Sequence, residues 1–170
     1  MRKTKLIFLF FLISVEAHSH EYEKIWGTIQ QNFIQSLITS DYITFRPEEK
    51  PEYKNRIVSF FYAMGGNGVR VNILRIKGVP EKDYCFFNNL LYSVSEDWGN
   101  ISLNNADAII KKIKKDYIVK NIDNKEDTTI ITFEKDRNKI ILYKKPVDYD
   151  CIKLRIFYYT NDLFNILLKE

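Results

Sequence analysis

The stretch 65–105 constrains the fold more than any other part of this chain. It holds the glycine cluster Gly65-Gly66-Asn67-Gly68, the turn Val79-Pro80 and one of only two cysteines, Cys85. The glycines mark a turn. After them Val69, Val71 and Ile73 alternate with Arg70 and Asn72, which is strand period. Before them, residues 56–63 are mostly Ile, Val, Phe and Tyr and read as a buried strand, so the two runs are expected to form a hairpin. A phosphate-binding loop would need Lys followed by Ser or Thr and then a helix, and this cluster has neither. Pro80 suits the first position of a helix, and Glu81 and Asp83 add negative charge to its first turn. Tyr84, Phe87, Leu90 and Leu91 keep helical spacing, so a helix carrying Cys85 is expected over 80–93. The runs 85–87 and 92–94 are also compatible with strand. Trp98 and Gly99 mark a turn, and 101–103 is at most a short strand.

The N-terminus has the form of a secretory signal. Arg2, Lys3 and Lys5 precede an apolar run over 6–15, and small residues follow at the spacing of a cleavage site after Ala17 or Ser19. Ten apolar residues reach about 15 Å as a helix, half a bilayer core, so no stable membrane span is expected after cleavage. The remainder, 20–170, reads as a single domain located in the periplasm or secreted. Loss of three cations and one acid with residues 1–17 lowers the net charge from +4 to +2. That near-neutral balance gives no support to nucleic-acid binding. In an oxidising compartment Cys85 and Cys151 favour one disulfide, closing a loop of about 67 residues. Two separate buried thiols are the alternative. There is no CxxC redox motif.

Residues 21–39 have the spacing of an amphipathic helix, with Tyr22, Trp26, Ile29, Phe33 and Leu37 on one stripe. Pro47 and Pro51 place a loop over 40–55. Asn104 or Asn105 can cap a helix whose apolar stripe is Ala106, Ile109, Ile110, Ile113 and Tyr117. Lys111, Lys112, Lys114 and Lys115 lie opposite that stripe, as a solvated face or a contact for an anionic partner. Residues 121–127 read as a polar loop, too irregular for an EF-hand calcium site. Residues 128–134, 139–144 and 151–159 read as a C-terminal β-meander, and 161–168 as a short helix. The fold class expected is therefore α+β: an N-terminal amphipathic helix packed on an antiparallel sheet, with two further helices.

The only histidines, His18 and His20, flank the expected cleavage site, which leaves no histidine for a catalytic triad in the domain. Cleavage after Ala17 would place His20 third in the mature chain and create an amino-terminal site suited to Cu(II) or Ni(II). Otherwise no metal and no cofactor is expected. Acidic pairs occur at Glu48/Glu49, Glu96/Asp97 and Asp148/Asp150, with surface charge as their default role. Glu96-Asp97-Trp98 is the acidic and aromatic run that would suit insertion into a partner. Asn100-Ile101-Ser102 matches the N-glycosylation pattern.

In order, these pieces resemble the globular head of type IVb pilins. A hydrophobic N-terminus runs into an amphipathic helix, followed by a polar loop, the pair Gly65-Gly66, a strand, Val79-Pro80, Cys85 just inside a helix, and Cys151 in a later β-region. The resemblance implies a pilin-like head stapled by Cys85–Cys151, without enzymatic activity, in a pilus or secretion apparatus. The expected function is a non-catalytic extracytoplasmic binding or structural module with a protein partner and no small-molecule substrate. The alternative is a periplasmic inhibitor or immunity protein that blocks an enzyme.

Overall fold

The computed structural model describes residues 22–37, 41–46 and 71–161. These form one eight-stranded antiparallel sheet with two helices. The strands are β1 (Tyr42–Phe45), β2 (Val71–Ile76), β3 (Glu81–Phe87), β4 (Leu90–Ser102), β5 (Ile118–Lys125), β6 (Thr128–Lys135), β7 (Asn138–Pro146) and β8 (Cys151–Thr160). The helices are α1 (Gln30–Ser36) and α2 (Leu103–Asp116). The spatial order is β1-β2-β3-β4-β8-β7-β6-β5. Two four-stranded meanders thus meet at the β4–β8 seam, and α2 carries the chain from the centre of the sheet to its far edge. The signal-like segment, the glycine turn and its upstream strand, and the terminal segment after Asn161 lie outside the described residues.

This architecture overturns the expected pilin-like α+β fold with an N-terminal helix on a sheet: 58% of the described residues are strand and 21% helical. The expected helix over 80–93 is a β-hairpin instead. Asn88 and Asn89, at φ 46° and 67°, make its two-residue turn, a pairing of Asn residues well suited to a left-handed hairpin loop. Tyr84, Cys85, Phe86 and Phe87 are all buried. A strand buried on both faces loses the apolar–polar alternation that would have distinguished it from a helix. The expected N-terminal helix is interrupted at Gly27, whose φ of 76° is left-handed. Around that break the backbone pairs with the sheet: Gly27 N–H donates to the Leu91 carbonyl at 2.8 Å and Leu91 N–H to the Thr28 carbonyl at 3.0 Å.

The expected turn at Trp98-Gly99 is a bulge inside β4, where the register to β8 shifts between Asp97 and Gly99. Gly99 sits at φ 61°, and its N–H donates to Asp97 Oδ1 at 2.9 Å. The expected loop over 121–127 is mostly strand β5, which turns only at Glu126-Asp127. Its polarity reflects an edge position within the described sheet, not a turn. The strands expected over 128–134, 139–144 and 151–159 are present as β6, β7 and β8.

Residues directly opposed on neighbouring antiparallel strands share a face. One face gathers Val94, Phe133, Ile140, Leu142, Ile152, Leu154 and Ile156 into the core, all at or near zero exposure. Ala106, Ile110 and Ile113 of α2, with Tyr117, pack on it, as do Tyr22 and Phe33 of the N-terminal segment. Each such aliphatic side chain contributes about 1.5–3 kcal/mol relative to exposure. The stripe foreseen for α2 is the buried one, while its cap is Ser102, whose Oγ accepts from Asn105 N–H at 3.3 Å. Among the described residues, no helix is long and apolar enough to cross a membrane.

Candidate functional site

Glu96 stands in the middle of β4, opposite Lys82 on β3 and Ile156 on β8, and therefore on the core face. It is only 1% exposed. Three hydrogen-bond donors converge on its carboxyl group, with the Lys82 ammonium at ion-pair distance. Oε1 accepts from the Tyr22 hydroxyl at 2.7 Å and lies 3.9 Å from the Lys82 ammonium. Oε2 accepts from the Tyr158 hydroxyl and from Trp98 Nε1, both at 3.2 Å. The aromatic rings close around the acid: Tyr22 lies 4.8 Å from Tyr158 and 6.4 Å, edge-on, from Tyr84. Lys82 Nζ sits 5.7 Å above the Tyr22 ring. Burial, and then the charge of Glu96, push the Tyr22 and Tyr158 hydroxyls well above their usual range, so both stay protonated donors. Through these hydrogen bonds Glu96 fastens the Tyr22 segment to the sheet.

Two further hydrogen bonds fasten that segment at its flanks. Trp26 Nε1 donates to Asn138 Oδ1 at 2.9 Å, and the Tyr117 hydroxyl donates to Glu23 Oε1 at 2.7 Å. Glu96, Asp97 and Trp98 were expected to form an exposed acidic–aromatic contact. Instead they belong to a central strand, with Glu96 sealed inside. Asp97, on the opposite face, accepts from Arg155, with Nε at 3.1 Å. Burial raises the Asp97 carboxyl, but the Arg155 guanidinium and the Gly99 N–H outweigh it and hold it below the usual carboxylate range.

The opposite face of β2 and β3 has its own buried ion pair. Asp83 accepts from Arg75 Nε at 2.7 Å and Nη2 at 3.0 Å, a bidentate grip. Cys85 lies beside it, and burial, with the Asp83 charge, pushes its thiol up, away from nucleophilic use. Cys85 and Cys151 are both free thiols. Cys85 is opposite Ser93, and Ser93 is opposite Tyr159, eight residues along β8 from Cys151. That offset is about 26 Å along the strand, far beyond the roughly 7 Å Cα separation a disulfide tolerates. The expected Cys85–Cys151 staple is therefore absent, because the register of the β4–β8 seam holds the two residues apart.

Lys111, Lys114 and Lys115 are exposed on α2, as their spacing implied, whereas Lys112 is half-buried. His18 and His20 lie outside the described residues. Among the described residues, no three His, Cys, Asp or Glu side chains gather as a metal site would require.

The exposed acidic–aromatic element is the β7–β8 turn. Tyr149 is 93% exposed between Asp148 and Asp150, and Val147 is 50% exposed. The backbone beneath them is held firmly. Val147 and Asp148 N–H donate to the Cys151 carbonyl at 3.0 and 3.2 Å. Asp150 N–H donates to Asp148 Oδ1 at 3.1 Å, and Leu103 N–H, at the start of α2, donates to the Asp150 carbonyl at 3.0 Å. The sequence places Pro146 and Tyr149 in the connection before the last strand and registers the acidic pair, but it gives Tyr149 no binding role. The usable signal was a large aromatic between two turn-forming acids, just after a proline. Comparison with protein-family models, with characterised proteins and with solved structures finds no match for this chain.

Proposed function

We propose that this chain is an exported, non-catalytic domain that acts by binding a protein, and that the β7–β8 turn is the element it presents. The observation that carries this reading is Tyr149: an almost fully exposed tyrosine on a hydrogen-bonded turn, flanked by Asp148 and Asp150. A pre-ordered tyrosine offers large contact area at low entropic cost, the usual profile of a binding anchor. The engagement of Glu96, Asp97 and Asp83 by donors and cations supports a non-catalytic role. The signal-like N-terminus supports export. A second reading, an inhibitor or immunity protein, is favoured by the same turn, because an acid–aromatic–acid tip suits a cationic cleft on a target enzyme.

The test is photo-crosslinking in the cells that make the protein. A photo-activatable phenylalanine analogue at Tyr149 should give discrete protein adducts, and the same analogue at exposed Gln31 should not. Absence of adducts at Tyr149, or the same adducts at both positions, refutes the reading.

A further inference from the structure

The sheet order β1-β2-β3-β4-β8-β7-β6-β5 is the same from either edge once each strand of the first meander is matched with one of the second. Each meander also follows a helix, α1 before β1–β4 and α2 before β5–β8, and both helices contribute to the core on one face of the sheet. The joints match as well. Ile29, just before α1, pairs with Leu90, the first residue of β4. Ser102, just before α2, pairs with Cys151, the first residue of β8. Gln30 N–H, the first of α1, donates to the Asn89 carbonyl at 2.8 Å, and Leu103 N–H, the first of α2, donates to the Asp150 carbonyl at 3.0 Å. A twofold axis through the Glu96–Ile156 pair exchanges β4 with β8 and carries the Ser95–Phe157 pair onto Asp97–Arg155. The exchanged residues differ in kind, so the sequence shows no repeat.

We infer that the chain is built from two equivalent units of one helix and four strands, and that Tyr149 is an addition to the second. The hairpin tips are the counterparts that reveal it. In the first unit Phe87 pairs with Leu90, and the two enclose Asn88 and Asn89. In the second, Val147 N–H donates to the Cys151 carbonyl, and these two enclose Asp148, Tyr149 and Asp150. Asp150 holds the start of its helix as Asn89 does, and Asp148 follows its strand as Asn88 does. Tyr149 has no counterpart in the first tip. The first unit closes its hairpin without such a residue, so the tyrosine, 93% exposed, is free of any duty in the frame and available to a partner.

This inference rests on the reading of the turn as a binding element and narrows that element to one added residue. The test gives the second tip the form of the first, by deleting Tyr149 and combining the deletion with Asp148→Asn and Asp150→Asn. Val147 and Cys151 still face each other across a two-residue turn, and Asn accepts the left-handed backbone that Asn88 and Asn89 adopt, so no strand changes register. The full chain with the shortened tip should keep the urea midpoint and circular dichroism of the wild type. A photo-activatable residue at Val147 should give protein adducts with the wild-type tip and none with the shortened one. A clearly lowered midpoint, or a chain that does not fold, overturns the equivalence of the two tips and leaves the binding reading standing. An unchanged midpoint with undiminished adducts overturns the assignment of the contact to Tyr149, and the binding reading with it.

Discussion

Glu96-Asp97-Trp98 and Asp148-Tyr149-Asp150 each set two acids beside one large aromatic, yet the first is locked into a central strand and the second stands on the tip of a turn. Neighbours account for the difference. Glu96 lies opposite Lys82 and Ile156 in a sheet, and Tyr22 and Tyr158 reach it from elements 74 and 62 residues away in the chain. Among the described residues, the Asp148 carboxylate accepts from the backbone of its own turn and from no side chain. An acidic–aromatic run therefore says little about exposure until the strands beside it are known. A buried carboxylate holds its place through its donors, and an exposed one stays available to a partner.

The comparison is most severely tested by Glu96→Ala. It strands two buried hydroxyls and leaves a part-buried indole N–H and ammonium without their acceptor, and removing one side of such a set costs about 3–5 kcal/mol. Urea unfolding should show that loss, and a cost below about 1 kcal/mol would mean that the cluster does not hold the N-terminal segment down. Next comes Tyr158→Phe, which deletes one hydrogen bond to a charged group and should cost about 1.5 kcal/mol at neutral pH. Its pH dependence carries a sign. The folded Tyr158 hydroxyl is raised above its unfolded value, so above about pH 10 the unfolded chain binds fewer protons and stability falls. The stabilisation is complete below pH 10 and is lost as pH rises, so the gap between wild type and Tyr158→Phe should narrow from pH 9 to pH 11. A constant gap would contradict the buried-donor assignment. The smallest effect belongs to the turn: Tyr149→Ala should leave stability within about 0.5 kcal/mol of wild type. A larger loss would make Tyr149 a structural residue and erase the contrast with Trp98.

The legible parts of the fold were those where local pattern and tertiary setting agree. The α2 stripe, the β6–β7 hairpin and β8 each keep one face in the core, so their periodicity survives in the sequence. The 80–93 region failed because β3 is buried on both faces and its Asn88-Asn89 turn was read through Pro80 and two acids as a helix start. The 21–39 stripe named core-facing residues such as Tyr22, Trp26 and Phe33 but concealed the break at Gly27, whose left-handed backbone is set by pairing with Leu91. The disulfide expectation rested on compartment and count, and only the register of β4 on β8 could show how far apart the two thiols lie. The Glu96 cluster draws on four separate elements, so no window along the chain could contain it.

The crossover by α2 also bears on the order in which the molecule assembles. Within each meander most pairings are hairpins between consecutive strands, which form in microseconds. The β4–β8 seam is different: Glu96 faces Ile156 and Ser102 faces Cys151, so each contact closes a loop of about fifty residues or more. Such long-range pairings come late, since their entropy must be overcome before they contribute. During synthesis the first half would therefore wait, with β4 as an exposed edge, until the last strand emerges to cover it. Folding speed in this chain should accordingly be governed by one seam, and a nascent chain stopped before β8 should aggregate more readily than one stopped after it.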